Sequence, residues 1–401
     1  MDIYVARQPI FKKDKSIYAY ELLFRDSMAN YFPDIDGDVA SSKVLSGSVI
    51  TIGIDTITGG RRAFINFTQN LLIQKMPLMF SYEKIVVEML ENIEPEESLL
   101  NSCNEIKKKG YIIALDDFVY SSKSESFISL ADIVKIDFLS SSHDEIKEYV
   151  KKLPKNIKLL AEKIETHKEL KLAKDMGFEY FQGYFFCKPE VLHEREPSSS
   201  QMNLLQIMAE ANKAEVEFQK IESLIAHDIT ISYKLLRYIN TARFMIRREI
   251  SSIKEALVYL GEKDLRRFIS LIALSNLANK KPHELITTSC IRAKFCELLA
   301  GLSDTQINPW ELFMLGLFSL IDAILDQPME SIMQKLPIAD SIVNALVHKS
   351  GELSDYLDLA CAHEKGNWDK SKEIVARLNI DESQLSALYS KACEWSNKFA
   401  L

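Results

Sequence analysis

Polar residues that could do chemistry interrupt or follow a series of short apolar runs in the first half of the chain. The first is Glu21, which stands in the run AYELLFRD between large apolar side chains. A buried, unpaired carboxylate is costly, and buried charges normally pair with another charge or bind a metal. Later apolar runs also carry polar residues to their ends: Asn66, Glu88, Asp116 with Asp117, Lys135 with Asp137, Glu162, and Gln182.

The elements that must position these residues are strands alternating with helices. Over residues 1 to about 195, β-rich runs alternate with amphipathic helical patterns such as 96–109 and 166–176. Repeated β-α alternation with strands apolar on both faces indicates a parallel sheet. Seven or eight such units predict a closed (β/α)8 barrel, with an open doubly wound sheet as the alternative. In a barrel, the strands' carboxyl ends meet on one face, so we expect these polar residues to converge.

The predicted convergence suggests metal-assisted phosphate chemistry. Several carboxylates on one rim repel each other and need positive charge between them. Oxygen donors without histidine suit hard cations such as Mg²⁺ or Mn²⁺. Asp116 and Asp117 could share two ions, and two metals about 3.5–4 Å apart commonly promote attack at a phosphodiester. The alternative is that these acids form salt bridges around the rim, with Lys135 supplying positive charge.

The composition of the chain indicates which kinds of partner it can bind and where in the cell it is expected. The chain has 401 residues, enough for two domains, and a net charge of −8, which argues weakly against a general nucleic-acid binder. The sequence contains no apolar stretch long enough to span a membrane, and its start lacks a signal-peptide core. The six cysteines form no CxxC pair, so we expect reduced thiols and a cytoplasmic location.

The run Glu21-Leu22-Leu23, followed by Arg25, resembles the signature of EAL domains, which hydrolyse cyclic di-GMP to linear pGpG. The likeness extends over residues 1 to about 192 and includes further motifs in the family's order. These are Gln8-Pro9-Ile10, Phe64-Ile65-Asn66, Glu88 with Glu91, Asp116-Asp117-Phe118, Lys135-Ile136-Asp137, Ala161-Glu162 with Glu165, and Gln182-Gly183-Tyr184. Each motif is weak alone, but together they are highly specific.

The resemblance implies a role for each matching position. One Mg²⁺ or Mn²⁺ ion would be held by Glu21, Asn66, Glu88 and Asp116, and a second with help from Asp117 and Glu162. Lys135 and Glu162 would be catalytic, with Lys135 orienting the attacking water or steadying the phosphate. Cyclic di-GMP would be bound by Gln8, Arg25, Asp137 and Gln182. Glu91 and Glu165 would support the loops around the site.

Three departures from the family pattern leave turnover open. Leu22 replaces an alanine of the signature, and we expect it to add bulk near the floor of the substrate site. Val119 stands where the family has glycine, in the loop that active members use to place metals and to dimerise. Lys163-Ile164 replaces Gly-Val after Glu162. Two readings therefore stay open beside the enzyme: a barrel that only senses cyclic di-GMP, and a protein-interaction scaffold without nucleotide.

The second half of the chain has a different pattern. Residues 1–193 are assigned to the barrel, 194–203 to a polar linker containing Pro197 and three serines, and 204–401 to an all-helical domain. The run HDITISYKLLRYINTARF at 227–244 resembles the start of HDOD domains. These are relatives of metal-dependent phosphohydrolases that lack the metal ligands, and Ser319-Leu320 stands where a catalytic relative would carry His-Asp. The resemblance implies a non-enzymatic half that binds an unknown protein partner.

Overall fold

A computed structural model gives the fold of the protein. It describes residues 4–25, 53–188, 204, 207–208, 210–211, 217–226, 229–240, 250, 252–278, 281–302, 307–334, 336 and 338–398. The predicted linker 194–203 lies outside these residues.

Eight strands form a closed barrel in chain order. They are β1 Tyr4–Lys12, β2 Ile17–Arg25, β3 Arg62–Phe67, β4 Ile85–Met89, β5 Ile112–Leu115, β6 Ile133–Asp137, β7 Lys158–Glu162 and β8 Tyr180–Gln182. The closed (β/α) barrel predicted from the sequence is therefore confirmed, and the open doubly wound sheet is not formed.

One strand departs from the parallel order that the alternation predicted. β1 runs antiparallel to both of its neighbours, β2 and β8, whereas the other neighbouring strands are parallel. A tight turn joins β1 to β2, in which the Lys12 N–H donates to Ser16 O at 2.8 Å and Lys15 has a φ of 65°. Antiparallel strands can be joined by a short hairpin, whereas a parallel pair needs a long crossover.

Helices follow the later strands. They are α1 Ile54–Thr58, α2 Gln69–Ile73, α3 Glu97–Lys108, α4 Ser122–Ile128, α5 His143–Lys152 and α6 His167–Asp175. The predicted helix at 166–176 is a clear case, because Thr166 Oγ1 accepts the Glu169 N–H at 3.2 Å at its start. Gly177, with a φ of 98°, follows its end.

Each strand contributes one side chain to a buried layer inside the barrel. This core layer is made of Ile10, Ala19, Phe64, Val86, Ala114, Ile133, Leu160 and Tyr180. The side chains are large on some strands and small on others, so that they fill the interior together. The barrel interior is therefore packed at this level, and the layer forms a floor beneath the next inward-facing residues.

The described elements of the second half are all helices. The helices are α7 Phe218–Ala226, α8 Ile229–Ile239, α9 Ile253–Leu277, α10 His283–Leu299, α11 Pro309–Phe318, α12 Ile321–Leu325, α13 Met329–Met333, α14 Asp340–Val347, α15 Ser354–Glu364, α16 Trp368–Leu378 and α17 Leu385–Lys398. Two motif residues of this half have structural contacts. Asn240 pairs with the backbone N–H and C=O of Ile250 at 2.9 and 2.8 Å, and Lys234 donates to Asn276 at 2.9 Å.

The chain divides into two compact units that do not follow its two halves. One unit combines Met1–Lys188 with Ile291–Gly316 and Asp355–Leu401, and the other combines Pro189–Cys290 with Leu317–Ser354. The last three helices thus belong to the same unit as the barrel. In that unit Asn397 donates to Thr56 O at 2.8 Å. The domain boundaries given above stay a prediction.

Within the described ranges, no helix combines the length and the apolar character that crossing a membrane requires.

Candidate active site

A polar layer lies directly above the core layer. Alternate side chains of a strand point to the same face, so residues two positions beyond the core layer also face the barrel interior. We call this set the upper layer; it consists of Gln8, Glu21, Asn66, Glu88, Asp116, Lys135, Glu162 and Gln182. β1 runs in the opposite direction, so its member precedes Ile10 instead of following it.

The Lys135 ammonium lies where four carboxylates of the upper layer converge. Its Nζ is 2.7 Å from Asp116 Oδ1, 2.9 Å from Glu162 Oε1 and 3.5 Å from Glu21 Oε2. It also pairs with Glu88 Oε1. The Lys135 side chain is only 1% exposed, so these ion pairs are shielded from water. The structure thus brings together five of the residues singled out from the sequence.

Several oxygens in this layer remain available to a further cation. Within the described residues, Glu88 Oε2, Glu162 Oε2 and Asn66 Oδ1 are buried and accept no hydrogen bond. Asn66 and Glu88 lie side by side on β3 and β4. Buried polar atoms are normally paired, so orphaned oxygens in one layer call for an explanation. A hard divalent cation fits this donor set, because carboxylate and amide oxygens are its preferred ligands.

The charges in this layer perturb one another strongly. Burial raises the pKa of Glu88 well above its usual value; Lys135 opposes the shift, and the other carboxylates add to it. Burial likewise raises the pKa of Glu162, to about 8. For Lys135, burial alone would lower the pKa, but the surrounding carboxylates raise it well above its usual value. The layer therefore holds more negative charge than one ammonium can balance.

Glu21 also accepts a hydrogen bond from an amide side chain. Gln182 Nε2 donates to Glu21 Oε2 at 2.6 Å and is 3.1 Å from Gln8 Oε1. Gln8 Nε2 in turn donates to the backbone O of Lys365, in the segment between α15 and α16, at 3.2 Å. A chain of hydrogen bonds therefore joins Glu21 to the helical part of the same compact unit. The sequence did not indicate the contact with Lys365.

The paired aspartates face different surroundings. Asp116 bonds to Lys135, as described, whereas the Asp117 side chain is 43% exposed. Asp117 has a φ of 40°, which is uncommon for a residue other than glycine. Glu91, Asp116 and Asp117 each place one carboxylate oxygen within 4.8 Å of the others. Burial raises the pKa of Asp117, and the neighbouring Asp116 adds to the shift.

Asp137 is not part of the Lys135 cluster. Its Oδ1 accepts the Leu139 N–H at 2.7 Å, and its Oδ2 accepts the Ser140 hydroxyl at 2.5 Å. Lys163 Nζ lies 2.5 Å from the same Oδ2 and 3.7 Å from Asp117 Oδ1. Asp137 thus anchors the loop after β6 and a lysine that the sequence had marked only as bulky and cationic.

Two other predicted residues lie at the end of β2 and in the segment after β7. Arg25 is the last residue of β2, and its side chain lies outside the part that the structure describes. Glu165 is half exposed and pairs with Lys188 at 3.3 Å. The roles of the site residues stay predictions.

The structure also locates the sequence departures. Leu22 is 1% exposed and alternates with Glu21 on β2, so it faces outward from the barrel. The expectation that Leu22 adds bulk near the floor of the substrate site is therefore wrong. Val119 is 56% exposed. The loop containing it leads into a helix cap, where Ser121 Oγ accepts the Ser124 N–H at 3.1 Å.

Two protein-family models match this chain, one over the barrel and one over the helical half. The EAL domain model matches residues 49–189, and the HDOD domain model matches residues 198–336. The chain is 39% identical over 397 residues to the cyclic di-GMP phosphodiesterase CdgJ of Vibrio cholerae, covering 98% of this chain and 92% of that protein. It is 35% identical over 404 residues to the uncharacterized protein YuxH of Bacillus subtilis, covering 98% of each.

Solved structures of EAL proteins were also similar. An EAL domain protein of Listeria monocytogenes matches with 21% identity and a TM-score of 0.39, over 46% of this chain and 87% of that one. The Bacillus subtilis YkuI protein, in complex with cyclic di-GMP and calcium, matches with 23% identity and a TM-score of 0.38, over 66% and 72% of the chains.

The fold and the matches define a tandem protein in which an EAL barrel precedes an HDOD domain. The chain belongs to this EAL–HDOD family of signalling proteins.

Proposed function

We propose that the barrel hydrolyses cyclic di-GMP to linear pGpG at the upper layer, with Mg²⁺ or Mn²⁺ as the metal. The proposal is supported by the relative CdgJ, a cyclic di-GMP phosphodiesterase that is 39% identical over nearly the whole chain. The observation that carries it is the set of buried, unbonded oxygens on Asn66, Glu88 and Glu162. These oxygens lie beside carboxylates whose charge one ammonium does not balance.

The proposed ligand roles are those that the resemblance to EAL domains implies. Glu21, Asn66, Glu88 and Asp116 would hold one ion, and Asp117 and Glu162 would help to hold a second. When bound, the ions stabilise charge on the phosphate oxygens and lower the pKa of the attacking water. Water adds to phosphorus, the P–O3′ bond breaks, and the O3′ leaving group takes up a proton, which opens the ring to pGpG.

We propose that Lys135 has one role in the site without metal and another in the site with metal bound. In the structure its ammonium compensates the carboxylates that would bind metal. With these oxygens bound to metal, the Lys135 ammonium would be available to orient the water or contact the phosphate. Gln182 and Gln8 keep Glu21 in place through their hydrogen bonds. Arg25 and Asp137 are proposed to contact or shape the nucleotide site.

A second candidate function is binding of cyclic di-GMP without turnover. The observation in its favour is that Lys135 already pairs with four of the proposed ligands. A site whose ligands are satisfied internally has less to gain from metal. In that case the barrel would act as a sensor or a scaffold that signals through the HDOD half.

We further propose that the HDOD half is not an enzyme and binds a protein partner, that the chain acts in the cytoplasm, and that it forms homodimers. The absence of a His-Asp pair at Ser319-Leu320 supports the first of these.

Purified full-length protein incubated with cyclic di-GMP and MnCl₂ tests the function, with pGpG measured by chromatography. We expect pGpG from the natural protein and none from Glu21→Gln or in excess EDTA. Glu373→Gln is the matched control, because its carboxylate is 73% exposed on α16. Retention of labelled cyclic di-GMP without pGpG would favour the sensor instead.

A further inference from the structure

Lys163 occupies an unusual backbone position beside the proposed metal ligands. It directly follows Glu162, the last residue of β7, and has a φ of 54°. Side chains other than glycine rarely adopt this left-handed conformation, which persists only when the surroundings fix it. Asp117, across from it, also has a positive φ of 40°. Asp117 and Lys163, which contact each other across the site, therefore both have strained backbone.

The Lys163 ammonium is anchored rather than free. Its Nζ lies 2.5 Å from Asp137 Oδ2, on a side chain that is 5% exposed. Asp137 is itself fixed, because its Oδ1 accepts the Leu139 N–H at 2.7 Å. The Lys163 side chain as a whole is 49% exposed to solvent. The buried carboxylate thus holds the ammonium in one place, at the edge of the barrel mouth.

From this anchor the ammonium reaches the carboxylate assigned to the second ion. Lys163 Nζ is 3.7 Å from Asp117 Oδ1. An ammonium at this distance satisfies part of the carboxylate's charge, and it repels a divalent ion approaching the same oxygen. Half-exposure weakens this repulsion by solvent screening but does not remove it. The Lys135 ammonium has no such fixed anchor, because every carboxylate that it contacts belongs to the proposed ligand set.

We infer that Lys163 acts as a built-in cation at Asp117, so that the site binds one divalent ion tightly and the second only weakly. The inference rests on the proposed function, because that function assigns Asp117 to the second ion. Lys163 is thereby a positioning residue that sets the metal requirement of the site. A site of this kind needs more free metal for full occupancy than one with a neutral residue after Glu162.

Titration of the full chain with MnCl₂ alone tests this inference, with free Mn²⁺ followed by electron paramagnetic resonance. We expect one tight equivalent and a second at least about tenfold weaker in the natural protein. Lys163→Met removes the charge at similar length, and Lys163→Gly also relieves the backbone conformation. Both should tighten the second equivalent by about tenfold, whereas Lys163→Arg should leave it weak. Lys147→Met, on a lysine paired with Asp144 at the surface, is the control.

Several results would overturn the inference. One is that the natural protein binds two equivalents of Mn²⁺ equally tightly. Another is that the Lys163→Met and Lys163→Gly variants bind Mn²⁺ as the natural protein does. The third is that neither the natural protein nor any variant binds Mn²⁺. Having two charge-removing variants keeps the test valid if one of them fails to fold. The proposed function fails separately, through a lack of pGpG from the natural protein. In that event, a Lys163-dependent change in Mn²⁺ affinity would still stand.

Discussion

Lys135→Met removes the one ammonium that the four carboxylates of the upper layer share. The side chain is 1% exposed, and its partners are between 0% and 14% exposed. Loss of one partner from a buried ion pair typically costs about 3–5 kcal/mol, because an uncompensated charge remains. Protonation of Glu88, whose pKa burial already raises, limits the cost. We therefore expect a loss of about 3 kcal/mol in the free energy of unfolding without metal.

Divalent metal should reverse much of this loss. With Lys135 gone, a Mn²⁺ ion can neutralise the same carboxylates without displacing an ammonium. Binding to the folded state alone adds about 2.7 kcal/mol when free metal is a hundredfold above its dissociation constant. The stabilisation by Mn²⁺ should therefore be larger in Lys135→Met than in the natural protein, although the variant loses turnover.

Urea unfolding followed by tryptophan fluorescence measures these differences, in EDTA and in MnCl₂. Trp310, Trp368 and Trp395 all belong to the compact unit that contains the barrel. Lys147→Met is the control, since its partner Asp144 is 93% exposed and ion pairs at such exposure contribute little to stability. A Lys135→Met protein as stable as the control in EDTA, or indifferent to Mn²⁺, would refute the reasoning.

Two further perturbations address other parts of the barrel-containing unit. Burial lowers the pKa of His363 to about 4 from 6.5, so the unfolded chain takes up the proton first and stability falls as the pH drops from about 6.5 toward 4. Urea unfolding should show the natural protein losing about 2 kcal/mol more than His363→Gln between pH 7.5 and pH 5; equal losses would contradict burial of a neutral ring. Gly183→Ala would place a Cβ 2.1 Å from Ile164 O, whereas at Gly60, also at positive φ, a Cβ meets nothing within 4 Å. In thermal unfolding, Gly183→Ala should therefore lower the free energy of unfolding several times more than Gly60→Ala, which should lower it by ~1 kcal/mol. Similar melting points for the two variants would show that the contact with Ile164 relaxes freely.

The sequence predicted the barrel and its polar layer because both depend on a short repeat. Strand residues alternate between two faces, so Glu21 follows Ala19 and Glu88 follows Val86 into the interior. The polar residue at each strand end could therefore be read without knowing the loops. The direction of β1 could not be predicted in this way. Neither the sequence of the first strand nor that of the tight turn after it shows which strands β1 pairs with.

The contacts missed by sequence reasoning depend on long-range packing. The sequence marks Lys163 only as a bulky cation in place of glycine, since nothing local shows that it reaches Asp137 and Asp117. The contact between Gln8 and Lys365 joins residues 357 positions apart. Leu22 was misplaced for a different reason: the motif suggested proximity to substrate, although alternation with Glu21 turns it outward.

The most direct test of the account is an anomalous difference map from crystals of the full chain soaked in MnCl₂ and recorded at the manganese edge. We predict a peak bonded to oxygens of Glu21, Asn66, Glu88 and Asp116, with Lys135 withdrawn from these carboxylates. Crystals with no peak at the upper layer and Lys135 still paired to its four carboxylates would contradict the claim that this layer is a metal site.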